Sequence, residues 1–255
     1  MNYDLRGSLL KMWNHDANGS YGSFEDPPLY ISIPVYIVEG EVTYLVFHNN
    51  PPSQGEIDMD FNHQGMIRAR FSGCGHDMFI FPGSLKEVLR CLRDISGPQS
   101  LPPRWALGFH QSRYSYMNGG DEVMSVARGF KDNGLPISAI HLDIDYMDGY
   151  RVFTVDRNRF VDLAGMNRDL ASMGIRTVAI IDPGVKVDDN YSVYREGLRR
   201  DAYVKWPDGT YVNSPVWPGN VAFPDFTEEK VRDWWGGSNY ESSRKTEYRG
   251  GYGTT

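Results

Sequence analysis

The sequence predicts an α/β fold in two parts, a strand-rich part followed by alternating strands and helices. Short runs of β-branched and aromatic residues, separated by turn residues, fill the chain as far as Gly83. Beyond residue 100, apolar runs typical of buried strands alternate with two segments of helical periodicity. Such alternation indicates parallel strands joined by right-handed crossovers.

The first part contains five predicted strands. Residues 30–38 and 42–48 are rich in β-branched and aromatic side chains, and a Glu-Gly-Glu break of three residues between them predicts a hairpin. The other three strands are predicted over residues 56–61, 66–71 and 76–81. Several short strands with turns between them are typical of a β-sandwich or a section of one.

A helix and a stiff connector separate the two parts. Ser84 is a suitable N-cap, and apolar residues at helical spacing follow it to about Ile95. Gly97 and Pro98 end this helix, and two further prolines follow. We therefore predict one domain over residues 1–97 and a second over residues 98–235. The polar, Gly/Ser-rich segment 236–255 is predicted to be a disordered tail.

The second part is predicted to contain three strands and two helices. The strands are predicted over residues 105–110, 137–142 and 176–181, and the helices over residues 122–130 and 160–173. Leucine and methionine residues recur at helical spacing along both helices, which predicts packing against a core rather than a cofactor site.

Each of these three strands ends in polar or aromatic residues. The first runs into His110, the second into Asp143 and Asp145, and the third into Asp182. Barrels of alternating strands and helices place their chemistry at the C-terminal ends of the strands. Because side chains alternate along a strand, we expect Asp143 and Asp145 to share one face, with Ile144 on the other. Two carboxylates on one face suit a polyhydroxy ligand or a cation.

Several classes of function are excluded or disfavoured. A net charge of −7 and the lack of a basic patch argue against a nucleic-acid partner. A nucleotide fold would need glycines directly after the first strand, and Gly119 and Gly120 come too late. The chain has no run of the ~18 apolar residues that a membrane span requires. No signal peptide is visible, and Cys74 and Cys91 form neither a disulfide framework nor a metal motif, so we expect a cytoplasmic protein.

Aromatic residues are the unusual feature of the composition. The chain has 6 Trp, 16 Tyr and 12 Phe, and many lie beside turn residues rather than in apolar runs. Aromatic faces stack on the C–H faces of sugar rings, while acids and amides bind the hydroxyls. Core packing explains most of these residues equally well.

Four ordered segments resemble glycoside hydrolase family 31, the α-glucosidase and α-xylosidase family. They are PPRWALGFHQSRYSY (102–116), HLDIDYMDGYRVFT (141–154), VAIIDPGVK (178–186) and VAFPDFTEEKVRDWW (221–235). Two N-terminal segments also resemble the family, MWNHDA (12–17) and DPPLYISIPVYI (26–37). The resemblance implies part of a β-sandwich domain followed by the first three units of a (β/α)8 TIM barrel, a partial barrel within the α/β class.

The same resemblance implies retaining hydrolysis of terminal α-linked glucose from oligosaccharides, by a nucleophile and a general acid ~5 Å apart. No cofactor or metal is implied. Carried over residue by residue, it makes Asp143 the ligand of the sugar hydroxyls in the −1 subsite. The other residues implied to bind substrate are Ile144, Tyr114, Trp217, Asp16 and Asp182.

The family's nucleophile lies in a motif like W-x-D-M-N-E, and no segment after Trp235 has that shape. We therefore expect a chain truncated before both catalytic carboxylates and inactive alone. Two alternatives stay open. The chain is a non-catalytic carbohydrate-binding fragment or pseudoenzyme, or it binds a metal through Asp143, Asp145 and Asp148, although no following loop completes a calcium site of EF-hand type.

Overall fold

A computed structural model describes residues 4–14, 31–50, 55–73 and 75–241, with the backbone alone over residues 238–241. The chain divides into two compact units, residues 1–100 and 101–255. The division falls close to the boundary predicted between residues 97 and 98. Within the described ranges, no helix is long and apolar enough to cross a membrane.

Unit 1 contains two antiparallel sheets of three strands each, in the orders β1-β4-β5 and β2-β3-β6. The six strands are β1 (Ser8–Met12), β2 (Val35–Val38), β3 (Tyr44–His48), β4 (Gly55–Met59), β5 (Ile67–Phe71) and β6 (Met78–Pro82). The two sheets meet where the buried ring of His48 packs against Phe71, with ring centroids 5.3 Å apart.

The hairpin of unit 1 is wider than the sequence predicts. Strand β2 begins only at Val35, because Pro34 has no N–H to donate to a ladder. Val38 pairs with Tyr44, so that residues 39–43 form the connection instead of three residues. The carbonyl of Thr43 accepts a hydrogen bond from Gly83 N (3.0 Å) rather than continuing the pairing with β2.

The helix predicted after Ser84 is confirmed as α1 (Leu85–Ser96). The backbone N–H and the hydroxyl of Ser84 both donate to the Glu87 carboxylate, at 2.8 and 2.7 Å, which fixes the N-terminus of the helix. Gly97, with φ of +85°, ends it.

Unit 2 contains the predicted parallel sheet, in the order β7-β8-β9. Its elements are β7 (His110–Gln111), α2 (Gly120–Asp132), β8 (Ala139–Leu142), α3 (Leu163–Ser172) and β9 (Arg176–Ala179). Both strand pairs are parallel, and the two helices supply the crossovers. The periodic residues pack against the core as predicted: Val123, Ala127, Leu163, Met166 and Leu170 are buried, and Met124, Phe130 and Met173 are partly buried.

The prediction of a strand over residues 105–110 is wrong for most of that range. Arg104–Leu107 forms a 3₁₀-helix, and only His110 and Gln111 pair with β8. Local hydrogen bonds from Ala106 N to Pro103 O (2.9 Å) and from Gly108 N to Trp105 O (3.1 Å) occupy groups that a strand would offer to its neighbour.

A small antiparallel sheet follows, for which the sequence gives little strand signal. It runs in the order β10-β12-β11, with β10 (Val185–Lys186), α4 (Ser192–Arg199), β11 (Asn213–Val216), β12 (Gly219–Ala222) and α5 (Glu229–Asp233). Trp234–Glu241 continues as a π-helix. Residues 236–241, the first part of the tail predicted to be disordered, therefore have a helical backbone. Residues 242–255 lie outside the described residues.

Candidate active site

Two carboxylates follow neighbouring parallel strands at the same edge of the sheet. Asp143 follows β8 directly, and Asp182 lies three residues beyond the end of β9. Ile180 N donates to Leu142 O (3.1 Å), which keeps the two strand exits side by side. Asp143 Oδ1 accepts from Ile144 N at 2.7 Å, so its side chain caps the turn that follows β8.

The two carboxylates are close enough to repel each other. Burial raises the pKa of Asp182 above its ordinary value, and the negative charge of Asp143 raises it further. Both side chains are half-buried, so they remain open to a ligand. A pair of half-buried, mutually repelling carboxylates is an acceptor site for hydrogen-bond donors such as the hydroxyls of a sugar.

We expect Asp182→Asn to stabilise the isolated chain at neutral pH by roughly 0.5–2 kcal/mol. A carboxyl whose pKa is raised on folding favours the folded state below its unfolded pKa, and that advantage is lost as the pH rises through the folded pKa. At neutral pH the ionised Asp182 carboxylate therefore destabilises the folded state, and an uncharged asparagine does not. Chemical denaturation at pH 7 and pH 3.5 should therefore give a gain at pH 7 that shrinks at pH 3.5. A gain of equal size at both pH values would contradict the assigned cause.

Asp145 does not lie beside Asp143, contrary to the prediction that they share a strand face. The strand ends at Leu142, and Ile144–Tyr146 forms a 3₁₀ turn that directs Asp145 inward, where it is 8% exposed. Arg159 Nη1 lies 3.3 Å from Asp145 Oδ2, and the Ser115 hydroxyl donates to the same oxygen. Burial disfavours the charged form, but the bonds from Ser115 and Arg159 outweigh it and hold the carboxyl's pKa below its ordinary value.

Tyr114 is an exposed aromatic beside this buried carboxylate. It is 57% exposed. An interaction with the Tyr114 hydroxyl, burial and the negative charge of Asp145 together raise the pKa of Tyr150 to about 12, so Tyr150 is protonated at neutral pH.

Trp217 lies at the tip of the β11–β12 hairpin. Val216 pairs with Gly219, which leaves Trp217 and Pro218 as the two loop residues, and the indole is 65% exposed. The loop that carries Asp182 packs on this hairpin. A Cβ at Gly184 would lie 3.0 Å from Val221 Cγ2 and 3.3 Å from Val216 Cγ2. A larger residue would require the two valines to shift by a few tenths of an ångström, so glycine favours this close approach, which links the Asp182 loop to the base of the Trp217 turn.

Two further site residues are implied by the family resemblance, Ile144 and Asp16. Ile144 is 5% exposed and packs in the hydrophobic core. Asp16 lies outside the described residues. Ile180 was not predicted, although it is half-buried at the exit of β9 and two residues before Asp182. Residues two positions apart on an extended segment face the same side. The position of Ile180 relative to Asp182 was therefore the sequence signal for an aliphatic residue near the carboxylates.

The metal hypothesis gains no support from the arrangement of these acids. Asp145 is paired with Arg159, and Asp148 lies 3.8 Å from Arg151. Among the residues that the structure describes, no group of three or more His, Cys, Asp or Glu side chains could hold a metal ion.

Comparison with known proteins gives matches to glycosyl hydrolases. The family model described as the glycosyl hydrolases family 31 TIM-barrel domain matches residues 99–250. Alpha-glucosidase 2 of Bacillus thermoamyloliquefaciens is 42% identical over 236 residues, which is 91% of this chain and 29% of that protein. The chain thus spans less than a third of that relative's length.

Solved structures give the same picture. The family 31 alpha-glucosidase of Bacteroides thetaiotaomicron superposes with a TM-score of 0.82 at 33% identity, covering 98% of this chain and 41% of that one. A family 31 dextranase of Flavobacterium johnsoniae, complexed with glucose, superposes with a TM-score of 0.85 at 28% identity, covering 98% of this chain and 30% of that one.

Proposed function

The chain belongs to glycosyl hydrolase family 31, and we propose that its second unit forms the part of an α-glucosidase active site that binds the terminal glucose. The observation that carries this proposal is the convergence of Asp143 and Asp182 at the exits of adjacent parallel strands. Carboxylates accept hydrogen bonds from sugar hydroxyls. The exposed rings of Tyr114 and Trp217 supply apolar faces for stacking.

We further propose that β7, α2, β8, α3 and β9 belong to the first three β/α units of a (β/α)8 barrel, preceded by part of a β-sandwich. The parallel order β7-β8-β9 and the TIM-barrel description of the matching family support this proposal. Sites in such barrels lie at the C-terminal ends of the strands, where Asp143 and Asp182 are found.

The proposed role of this segment is substrate binding rather than bond cleavage. In the whole protein the reaction would be retaining hydrolysis of terminal α-linked glucose from oligosaccharides. The sequence contains no W-x-D-M-N-E segment, and we assign no catalytic carboxylate within it. The lack of this segment from the sequence favours a second candidate function, carbohydrate binding without hydrolysis. The predicted cytoplasmic location stays a prediction.

Calorimetric titration of the 255-residue chain with maltose and isomaltose tests the proposal. We expect binding in the millimolar range, because two carboxylates and two exposed rings offer few contacts to a sugar. Cellobiose, a β-linked glucose disaccharide, is the control for the linkage. No heat with either α-linked sugar at tens of millimolar would remove both candidate functions for this chain.

Hydrolysis of an aryl α-glucoside separates the two candidates. We expect the purified chain to release no aryl alcohol above the background of a mock preparation, since the assigned residues bind sugar and none attacks it. Turnover that disappears in Asp143→Ala would contradict this expectation and would place a nucleophile within the chain.

A further inference from the structure

The loop that carries Tyr114 is fixed at its end by the backbone of Arg159. This Tyr114 loop, residues 112–119, connects β7 to α2. Gly120 N donates to Arg159 O at 3.1 Å. Gly119 has φ of +65°, and a Cβ on it would lie 1.9 Å from Arg159 O, closer than a side chain can approach a carbonyl oxygen. The loop can therefore meet Arg159 in this way only because residue 119 is glycine.

The side chain of Arg159 holds the turn that begins at Asp143. This Asp143 turn is the 3₁₀ segment Ile144–Tyr146, whose N-cap is Asp143. Arg159 Nη1 lies 3.3 Å from Asp145 Oδ2, and Nη2 donates to Asp145 O. Nε donates to Asp156 Oδ2 at 2.8 Å. Each nitrogen of the planar guanidinium thus has an acceptor, which fixes its orientation against both the side chain and the backbone of the turn.

A third contact joins the Tyr114 loop directly to the Asp143 turn. The Ser115 hydroxyl donates to the same Asp145 oxygen that pairs with Arg159. The loop and the turn follow β7 and β8, which are parallel neighbours, so both leave the same edge of the sheet. The side chains of Asp145 and Arg159 are 12% and 26% exposed, and water therefore competes little for these bonds.

We propose that Arg159 is a positioning residue of the sugar site, which holds the Tyr114 ring and the Asp143 carboxylate in one fixed relation. The inference rests on the proposed function, because both residues are assigned to that site. The ligand class is an α-linked hexopyranoside that stacks on the ring while its hydroxyls donate to the carboxylate. A site that is ordered before the ligand arrives loses less conformational entropy on binding. Arg159 acts through the loop and the turn, and needs no contact with the sugar.

Amide hydrogen exchange, followed by NMR, tests the connection without ligand. The variant is Arg159→Lys, whose single ammonium group cannot bind the three acceptors in the same geometry. We expect the Gly120 amide to exchange roughly three- to tenfold faster, the scale of one weakened hydrogen bond. The Ala202 amide, which donates to Gly197 O at 2.9 Å, is the internal reference for a general loss of stability. Acceleration at both amides by one factor, or at neither, would overturn the proposal.

Arg151→Lys is the matched control for this exchange measurement. The side chain of Arg151 is 25% exposed, close to the value for Arg159, and it also binds an aspartate, through Nε to Asp188 Oδ2 at 3.0 Å. Its acceptor belongs to the segment after β10 and not to the Tyr114 loop. We expect exchange at Gly120 to change by less than about twofold in this variant. Equal acceleration by the two arginine variants would contradict a specific role for Arg159.

A double-mutant cycle with isomaltose, measured by NMR titration, tests the consequence for binding. We expect Arg159→Lys to raise Kd roughly three- to tenfold, the scale of ordering one side chain on binding. In a Tyr114→Ala background the same change should alter Kd less than about twofold, because no ring is left to position. Ser115→Ala cuts the connection from the loop side and should show the same pattern, which keeps the test available if Arg159→Lys does not fold.

The outcomes separate the positioning role from the proposed function. Equal losses of affinity in the two backgrounds, or an unchanged Kd in the otherwise wild-type chain, would overturn the role of Arg159. Absence of any isomaltose binding by the wild type would refute the proposed function instead. The exchange rate of the Gly120 amide would then still decide whether Arg159 holds the Tyr114 loop.

Discussion

Asp145→Ala should lower the free energy of unfolding of the chain by roughly 2–3 kcal/mol. The Asp145 side chain is 12% exposed and accepts from the Ser115 hydroxyl and the Arg159 guanidinium. Removing it leaves a partly buried guanidinium and a hydroxyl without their shared acceptor. We place the loss below the full cost of an unpaired buried charge, because Arg159 keeps its bond to Asp156 at 2.8 Å.

Urea denaturation followed by circular dichroism measures this loss, and Asp148→Ala provides the matched control. Asp148 lies in the next 3₁₀ turn, Asp148–Tyr150, but its side chain is 67% exposed and lies 3.8 Å from Arg151. Exposed pairs of this kind contribute about 0–1 kcal/mol. Similar losses in the two variants would mean that Asp145 is not the buried anchor of the turn.

The strand–helix alternation of unit 2 could be predicted because it rests on local signals. The apolar residues of α2 and α3 recur at helical spacing, and Asn133 and Gly174 follow the two helices as expected stop residues. Parallel pairing of β8 with β9 then follows from the helical crossover between them. These features depend on neighbours within one element, which a sequence displays directly.

The different fates of Asp143 and Asp145 could not be predicted in the same way. Strand periodicity treats the two acids as equivalent, yet β8 ends at Leu142 and the chain turns. The partner that draws Asp145 inward, Arg159, comes fourteen residues later and belongs to the segment before α3. No local pattern reports a contact of that range, so an acid at a strand exit seemed equally suited to a ligand.

The antiparallel sheet that carries Trp217 could not be predicted from local sequence patterns either. Its strands have two to four residues, and β11 contains Pro215, which weakens any strand signal. Family resemblance, rather than periodicity, identified Trp217. What links its hairpin to the Asp182 loop is the close packing of Gly184 on Val216 and Val221, which lie 32 and 37 positions later in the chain. Glycine at such a position is common in loops and does not by itself indicate its neighbour.

Asp143→Ala should lower kcat/KM by at least ~100-fold in a full-length family 31 α-glucosidase that carries this segment, which corresponds to ~2.7 kcal/mol. If Asp143 binds sugar hydroxyls that move as the ring flattens toward an oxocarbenium ion, its bonds strengthen in the transition state. Its side chain accepts a hydrogen bond from the adjacent Ile144 N–H, a local contact, so the fold should lose little stability. The prediction therefore separates activity from stability, the reverse of the effect expected at Asp145.

Steady-state kinetics with an aryl α-glucoside, together with a thermal melt, checks this separation. Asp208→Ala is the control, since Asp208 accepts from Thr210 in an exposed turn and has no assigned role in the site. Removing Asp143 also removes a negative charge that raises the pKa of Asp182. The pKa of Asp182 should therefore fall in Asp143→Ala, which NMR titration of its carboxyl carbon can follow. Near-wild-type kinetics in Asp143→Ala would refute the subsite assignment, and an unchanged pKa of Asp182 would refute the proximity of the two carboxylates.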